Sequence, residues 1–93
     1  MRPGEIRDRL DTDHGSPMVV LSSEIYNEVM GRAIVAPLLA TDQTGPCVAT
    51  KGGFIGFPML QSLPLSAFSE SRGTVPDADL DEARGYIVGA MTI

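Results

Sequence analysis

Tryptophan is absent from this 93-residue chain, which has three phenylalanines, two tyrosines, one histidine and one cysteine. With so few aromatics, the core must be built from Val, Ile, Leu, Met and Ala. The lone Cys47 excludes an intrachain disulfide and suits a reducing compartment. One histidine and one cysteine cannot build a structural zinc site. Gly52-Gly53 has no Lys-Ser/Thr after it, so it is a hairpin turn and not a phosphate loop. Asp77, Asp79 and Asp81 lack the glycine and distal Glu of a calcium loop. The residues therefore call for no metal and no cofactor. Cations are scarce too: seven Lys and Arg stand against twelve acids, a net charge of −5. A nucleic-acid binder usually carries a basic face, so any nucleic acid must be held by a few local contacts. The longest apolar run, residues 33–40, is too short to span a bilayer and contains Pro37. Met1 to Arg9 lacks the apolar region of a signal peptide. The expectation is a cytoplasmic protein with no membrane partner.

What is present is a composition of 43% apolar and 20% charged residues, that of one folded domain over residues 1–93. A chain this short buries only about 60–70% of the surface its unfolded form exposes, and dimerisation would extend its core. A first strand is expected from Gly4 within residues 3–9, followed by a turn-rich loop from Asp11 to Pro17. Met18 to Leu21 is an unbroken apolar run suited to a central strand. Ser22 or Ser23 caps a short helix through Glu24–Met30, which Gly31 ends. Arg32–Leu39 is the next strand, and Pro37 within it implies an edge or a bulge. Residues 41–46 form a loop. Cys47–Lys51 and Phe54–Phe57 pair around Gly52-Gly53, and Met59–Leu63 is a further strand. Residues 69–76 are a loop or a last short strand.

The clearest helix follows Pro76. Asp77, Asp79, Asp81 and Glu82 crowd the positive end of its dipole. Leu80, Ala83, Ile87 and Met91 fall on one apolar face. Gly85 and Gly89 either permit close packing against a sheet or second subunit, or leave a weak helix. The expected fold is mainly β (α+β): a small barrel of about five to seven strands, with a short helix after strand 2 and a C-terminal helix as lid.

The order of these pieces resembles the MazF/PemK toxins of bacterial toxin–antitoxin pairs. The resemblance rests on Arg2-Pro3-Gly4-Glu5-Ile6, on Ser16-Pro17 before Met18-Val-Val-Leu-Ser22, and on the polar turn Ser22-Ser-Glu-Ile-Tyr26-Asn27. It continues in Pro37-Leu38-Leu39, in Met59 to Phe68, and in the helix from Asp77. It implies an SH3-like barrel, a homodimer and a cognate antitoxin protein as partner. It also implies a metal-independent endoribonuclease acting on single-stranded RNA, with the RNA's own ribose hydroxyl as nucleophile. Such cleavage needs a base for that hydroxyl and a strong donor for the charge that builds on the phosphate.

In that family an Arg before the proline and a Thr after Pro-Leu stand at the scissile phosphate. Here those positions hold Ser16 and Leu39. Candidate catalytic substitutes are Arg7 and Arg9, which precede the same loop, and His14 within it, whose intrinsic pKa suits proton transfer. Thr41, two residues past Leu39, is the fourth. Asp13, Ser16 and Asp42 are the candidate RNA-binding residues. The bland reading of the same residues is a solvated, turn-forming loop, with Thr41 capping the next turn. Two other functions share the barrel. One is a non-enzymatic inhibitor of a protein such as DNA gyrase, similar to CcdB; the other is a degenerate paralogue that only binds antitoxin.

Overall fold

In the computed structural model, which describes residues 1–12, 15–42 and 45–92, the central element is an eight-residue strand, β3 (Arg32–Leu39). Along one edge β3 pairs antiparallel with β2 (Pro17–Val20), with Val20 opposite Val35 and Met18 opposite Pro37. Along the other edge it changes partner. Its first half, Arg32–Val35, pairs with β6 (Gln61–Pro64), and Leu38–Leu39 pairs with β5 (Gly53–Ile55). Pro37 lies where one partner gives way to the next, and its carbonyl accepts from the Gly56 N–H at 2.9 Å. A strand residue's N–H and C=O point to the same edge, so the donor that proline lacks faces the gap between β6 and β5. The edge or bulge expected at Pro37 is therefore a partner switch inside a central strand.

β1 (Glu5–Asp8) lies on the far side of β2, and its outer edge is closed by residues 67–75. Leu10 N–H donates to the Ala67 carbonyl, Ser69 N–H to that of Asp8, Arg72 N–H to that of Ile6 and Val75 N–H to that of Gly4, at 2.7–2.9 Å. β7 (Gly73–Thr74) is the paired part of this stretch, and a 3₁₀ turn at Leu65–Ala67 separates it from β6. Residues 61–75 therefore join β3 to β1, and the antiparallel sheet curls into a small barrel. β4 (Val48–Thr50) extends it through a hairpin with β5. Thr50 pairs with Gly53, so the turn is Lys51-Gly52 and Gly53 belongs to the strand. A Cβ at Gly53 would overlap the Leu39 carbonyl oxygen, which is why glycine stands there. Among the described residues, seven strands and two α-helices make the fold a mainly β, α+β barrel, as the sequence predicts.

The apolar run in β2 is buried on both faces, as its lack of alternation requires. Val19 and Leu21 join Ala36, Val48, Ile55, Val75, Leu80 and Ala83 beneath the C-terminal helix α2 (Asp77–Met91). Met18 and Val20 join Ala33, Val35 and Phe68 on the other side. Arg84 ties α2 to the end of β2, its Nε and Nη2 donating to the Leu21 carbonyl at 2.9 and 2.6 Å. On the expected apolar face, Leu80 and Ala83 are buried and Ile87 is half-buried, but Met91 is 76% exposed. Residues 88–91 are all exposed, so the last turn overruns the body that covers the rest of the helix. Nor does anything within the chain press on Gly85 or Gly89, each of which has open space at its Cβ position.

Ser23 caps helix α1 (Glu24–Met30) by accepting from the Tyr26 N–H, and Gly31 ends it in the left-handed region at φ 64°. Asn27, on this helix, is fully buried. Its Oδ1 accepts from the Ser22 hydroxyl at 2.5 Å, while its amide donates to the carbonyls of Met1 and Ser22. The Ser22 oxygen in turn accepts from the Ile34 N–H at 2.9 Å. One side chain thus joins the N-terminus, α1 and β3.

Asn27→Ala strands these groups, each costing about 1–3 kcal/mol. Urea titration is expected to show a lower midpoint at unchanged slope; an unchanged midpoint would contradict the hub role. Gly85→Ala and Gly89→Ala should each stabilise by about 0.5–1 kcal/mol. The same titration checks this, and a loss would mean that another chain packs there.

Candidate functional site

The end of β1 and the start of β2 bring Arg9 and Ser16 together. Ile6 pairs with Val19, Arg7 with Met18 and Asp8 with Pro17. One step on, the Arg9 N–H donates to the Ser16 carbonyl at 2.9 Å, which sets Arg9 opposite Ser16. β2 and β3 pair as far as Met18 opposite Pro37, two residues short of Ser16 and Leu39. Leu39 faces Phe54 on β5, and Arg9 bridges to Phe68 on its other side. Phe68, Arg9 and Ser16 therefore lie in one row, and Leu39 and Phe54 face each other beyond the end of the β2–β3 pairing. Directly opposed residues in antiparallel strands share a face, with Cβ atoms about 4.5–5.5 Å apart. Arg9 thus sits on the strand beside Ser16, on the same face of the sheet.

The Arg9 guanidinium is held from two sides. Nε and Nη2 reach the two carboxylate oxygens of Asp11 at 2.5 and 3.3 Å, and Nη1 donates to Gln61 Oε1 at 2.6 Å. The hydrogen bond from Arg9 holds the Asp11 carboxyl below its ordinary range, and the same bond raises the already high pKa of Arg9. The side chains of Arg9 and Asp11 are 23% and 41% exposed, so this charged pair lies open at the rim. Such a guanidinium can offer two parallel N–H groups to an oxyanion.

Arg7 is placed differently. Its Nε and Nη2 donate to Glu5 Oε1 at 3.3 and 3.0 Å, and its Nη1 donates to the Ser69 carbonyl at 2.9 Å. Burial pushes the Glu5 carboxyl up, but the Arg2 N–H and the Arg7 guanidinium outweigh it and hold the carboxyl below its ordinary range. Arg7 fastens β1 to the segment that closes the barrel, its guanidinium bonded to Glu5 and the Ser69 carbonyl. Thr41 and Asp42 are exposed and follow the end of β3 at Leu39. The strand alternation that would carry Thr41 to the face of Leu39 stops before reaching it. Asp13 and His14 lie outside the described residues.

The residue that sequence reading passes over is Gln61. It is an exposed glutamine with no local signal, and its relation to Arg9 exists only once β6 pairs with β3 and residues 67–68 pair with the chain around Arg9. Asp11 was legible only as part of a turn-forming loop. Among the described residues no group of three or more His, Cys, Asp or Glu is placed to hold a metal ion, and no helix is long and apolar enough to cross a membrane.

No family model and no curated relative matches the chain. Solved structures do. The chain is similar over its whole length to the MazE–MazF complex from Deinococcus radiodurans, with a TM-score of 0.87, 22% identity and 97% of that chain covered. The MazF structure from the same organism has a TM-score of 0.82 at 23% identity, with 100% of this chain and 97% of that one covered. An endoribonuclease in complex with its cognate antitoxin, from a mycobacterial species, has a TM-score of 0.77 at 14% identity, covering 96% of this chain and 95% of that one. The chain has the fold of the MazF toxins.

Proposed function

We propose that this protein is the toxin of a type II toxin–antitoxin pair and cleaves single-stranded RNA without a metal ion, with Arg9 supplying the cation at the scissile phosphate. The observation that carries the reading is Arg9 set opposite Ser16. The positions where the resembling family keeps its Arg and Thr hold Ser and Leu here, and Arg9 stands one strand over from the first of them. A guanidinium displaced by one strand spacing is within the reach of its own side chain, because five heavy atoms separate its charge from the backbone. It would meet the negative charge that develops on the phosphate as the ribose hydroxyl attacks. His14, from the loop beside this row in sequence, is proposed as the group that takes the hydroxyl's proton. Arg7 holds the barrel closed and has no part in the chemistry. The Leu39 position remains without a hydroxyl, so the turnover expected is slow.

A second copy of the chain and a cognate antitoxin are the proposed partners, and the cytoplasm the proposed location. Two of the similar structures are complexes with an antitoxin or MazE. On this chain, Ile25, Val29, Val88 and Met91 are 60–78% exposed. A cleft of about 360 Å³ between α2 and β3 is lined by Leu21, Ile34, Leu60, Ile87, Val88 and Met91. Apolar surface of this kind on a small protein marks an interaction site.

The test is incubation of purified protein, freed of antitoxin, with a long unstructured RNA in EDTA. Discrete fragments ending in a cyclic phosphate are expected. Arg9→Ala should lower the rate about 10²–10³-fold, the usual cost of one preorganised donor, and Arg7→Ala should act through stability alone. RNA left intact by a folded protein would overturn the reading, and growth arrest without RNA cleavage would point instead to a protein target.

A further inference from the structure

We propose that Asp11 is a built-in competitor for the anion that Arg9 receives, and that Gln61 is the positioning residue that keeps the guanidinium at the row when Asp11 gives way. The inference rests on the ribonuclease reading and deepens it by assigning a control on that site. It follows from how the five N–H groups of Arg9 are shared out. A guanidinium can bind an oxyanion through two parallel N–H groups either along its Nε edge or across its two terminal nitrogens. Nε and Nη2 both bond to Asp11, and Nη1 bonds to Gln61. Nη2 carries two N–H groups, and the one on the Nε side bonds to Asp11, so a phosphodiester gains the Nε edge only by displacing Asp11.

The two holders differ in what displacement costs. Asp11 follows the end of β1, outside any strand, and its carboxylate is 41% exposed. Water can receive that carboxylate as it leaves, and an exposed ion pair gives up little free energy. Gln61 sits on β6, fixed opposite Val35 by the β3 register. Its amide is neutral, so it does not repel a phosphate. It keeps a single bond on Nη1 and leaves the Nε edge to the incoming oxygens. The Nε edge of the resting site is thus held by the protein's own carboxylate and opens to a ligand with several contacts. A chain of net charge −5 thereby places one more negative group where RNA must approach.

The probe is a mixed-sequence 2′-O-methyl RNA 12-mer, which cannot be cleaved because its ribose hydroxyls are blocked. Its dissociation constant is measured by fluorescence anisotropy over a range of salt. Asp11→Asn should tighten binding about two- to fivefold, the span an exposed ion pair allows. Gln61→Ala should weaken it and remove most of the gain from Asp11→Asn in the double variant, a non-additivity that a merely structural glutamine would not produce. Arg9→Ala should weaken binding and reduce the salt slope by about 0.7, one phosphate contact on a single strand. Weaker or unchanged binding in Asp11→Asn, with the Arg9→Ala loss intact, would overturn the competitor role alone. An Arg9→Ala chain that binds with unaltered affinity and slope would sink the ribonuclease reading beneath it.

Discussion

Strand β3 has neighbours on both edges and changes one of them halfway along, and the positions of the other elements follow from that switch. One edge takes β2 and through it β1. The other takes β6 first and β5 afterwards. Because side chains alternate with a period of two, a slip of one residue in any of these pairings would send Val35 and Ala36 to each other's faces and break both cores at once. Pro37 sets the place of the switch, since a residue without an N–H cannot be paired continuously on that edge. The site inherits its geometry from the same register. Arg9 and Ser16 lie just past the end of β1 and just before β2, and they face each other because the β1–β2 pairing carries on to them.

Cations are scarce in this protein, and four of the seven are committed to holding the fold. Arg7 joins β1 to the closing segment, Arg84 joins α2 to β2, Arg32 binds Ser62 across to β6, and Arg72 pairs with Asp8 at 2.6 Å. Arg9 is also paired, but at an exposed rim and with groups a ligand can replace. A net charge of −5 offers little long-range attraction to RNA. On the proposed reading, affinity for RNA then comes from a few short contacts, each adding about 0.7 to the salt slope.

Much of the fold was legible because its signals are local. The Met18–Leu21 run, the Ser23 cap, the Gly31 stop and the acid-led helix after Pro76 each act within a few residues, and each lands where the pattern puts it. The departures are non-local. Gly53 reads as a turn residue but serves in a strand, because its backbone meets the Leu39 carbonyl from 14 residues away in sequence. Met91 has the right helical spacing, yet the body of the protein ends before it. The site was half legible: Arg9 could be named as a cation near the turn, but its alignment with Ser16 and its bond to Gln61 depend on strand pairings that no motif encodes. The separation of Arg9 from Arg7, two residues away and on the same face, comes from what lies across from each.

The central claim is that the guanidinium of Arg9 does the work of an arginine one strand away. Moving it back is the most direct test. Arg9→Ser should slow RNA cleavage about 10²–10³-fold, and Arg9→Ser combined with Ser16→Arg should recover at least about tenfold of that loss, measured as initial rates on the same RNA in EDTA. A folded double variant as inactive as Arg9→Ser would show that the two positions do not serve one phosphate, and the account would be wrong.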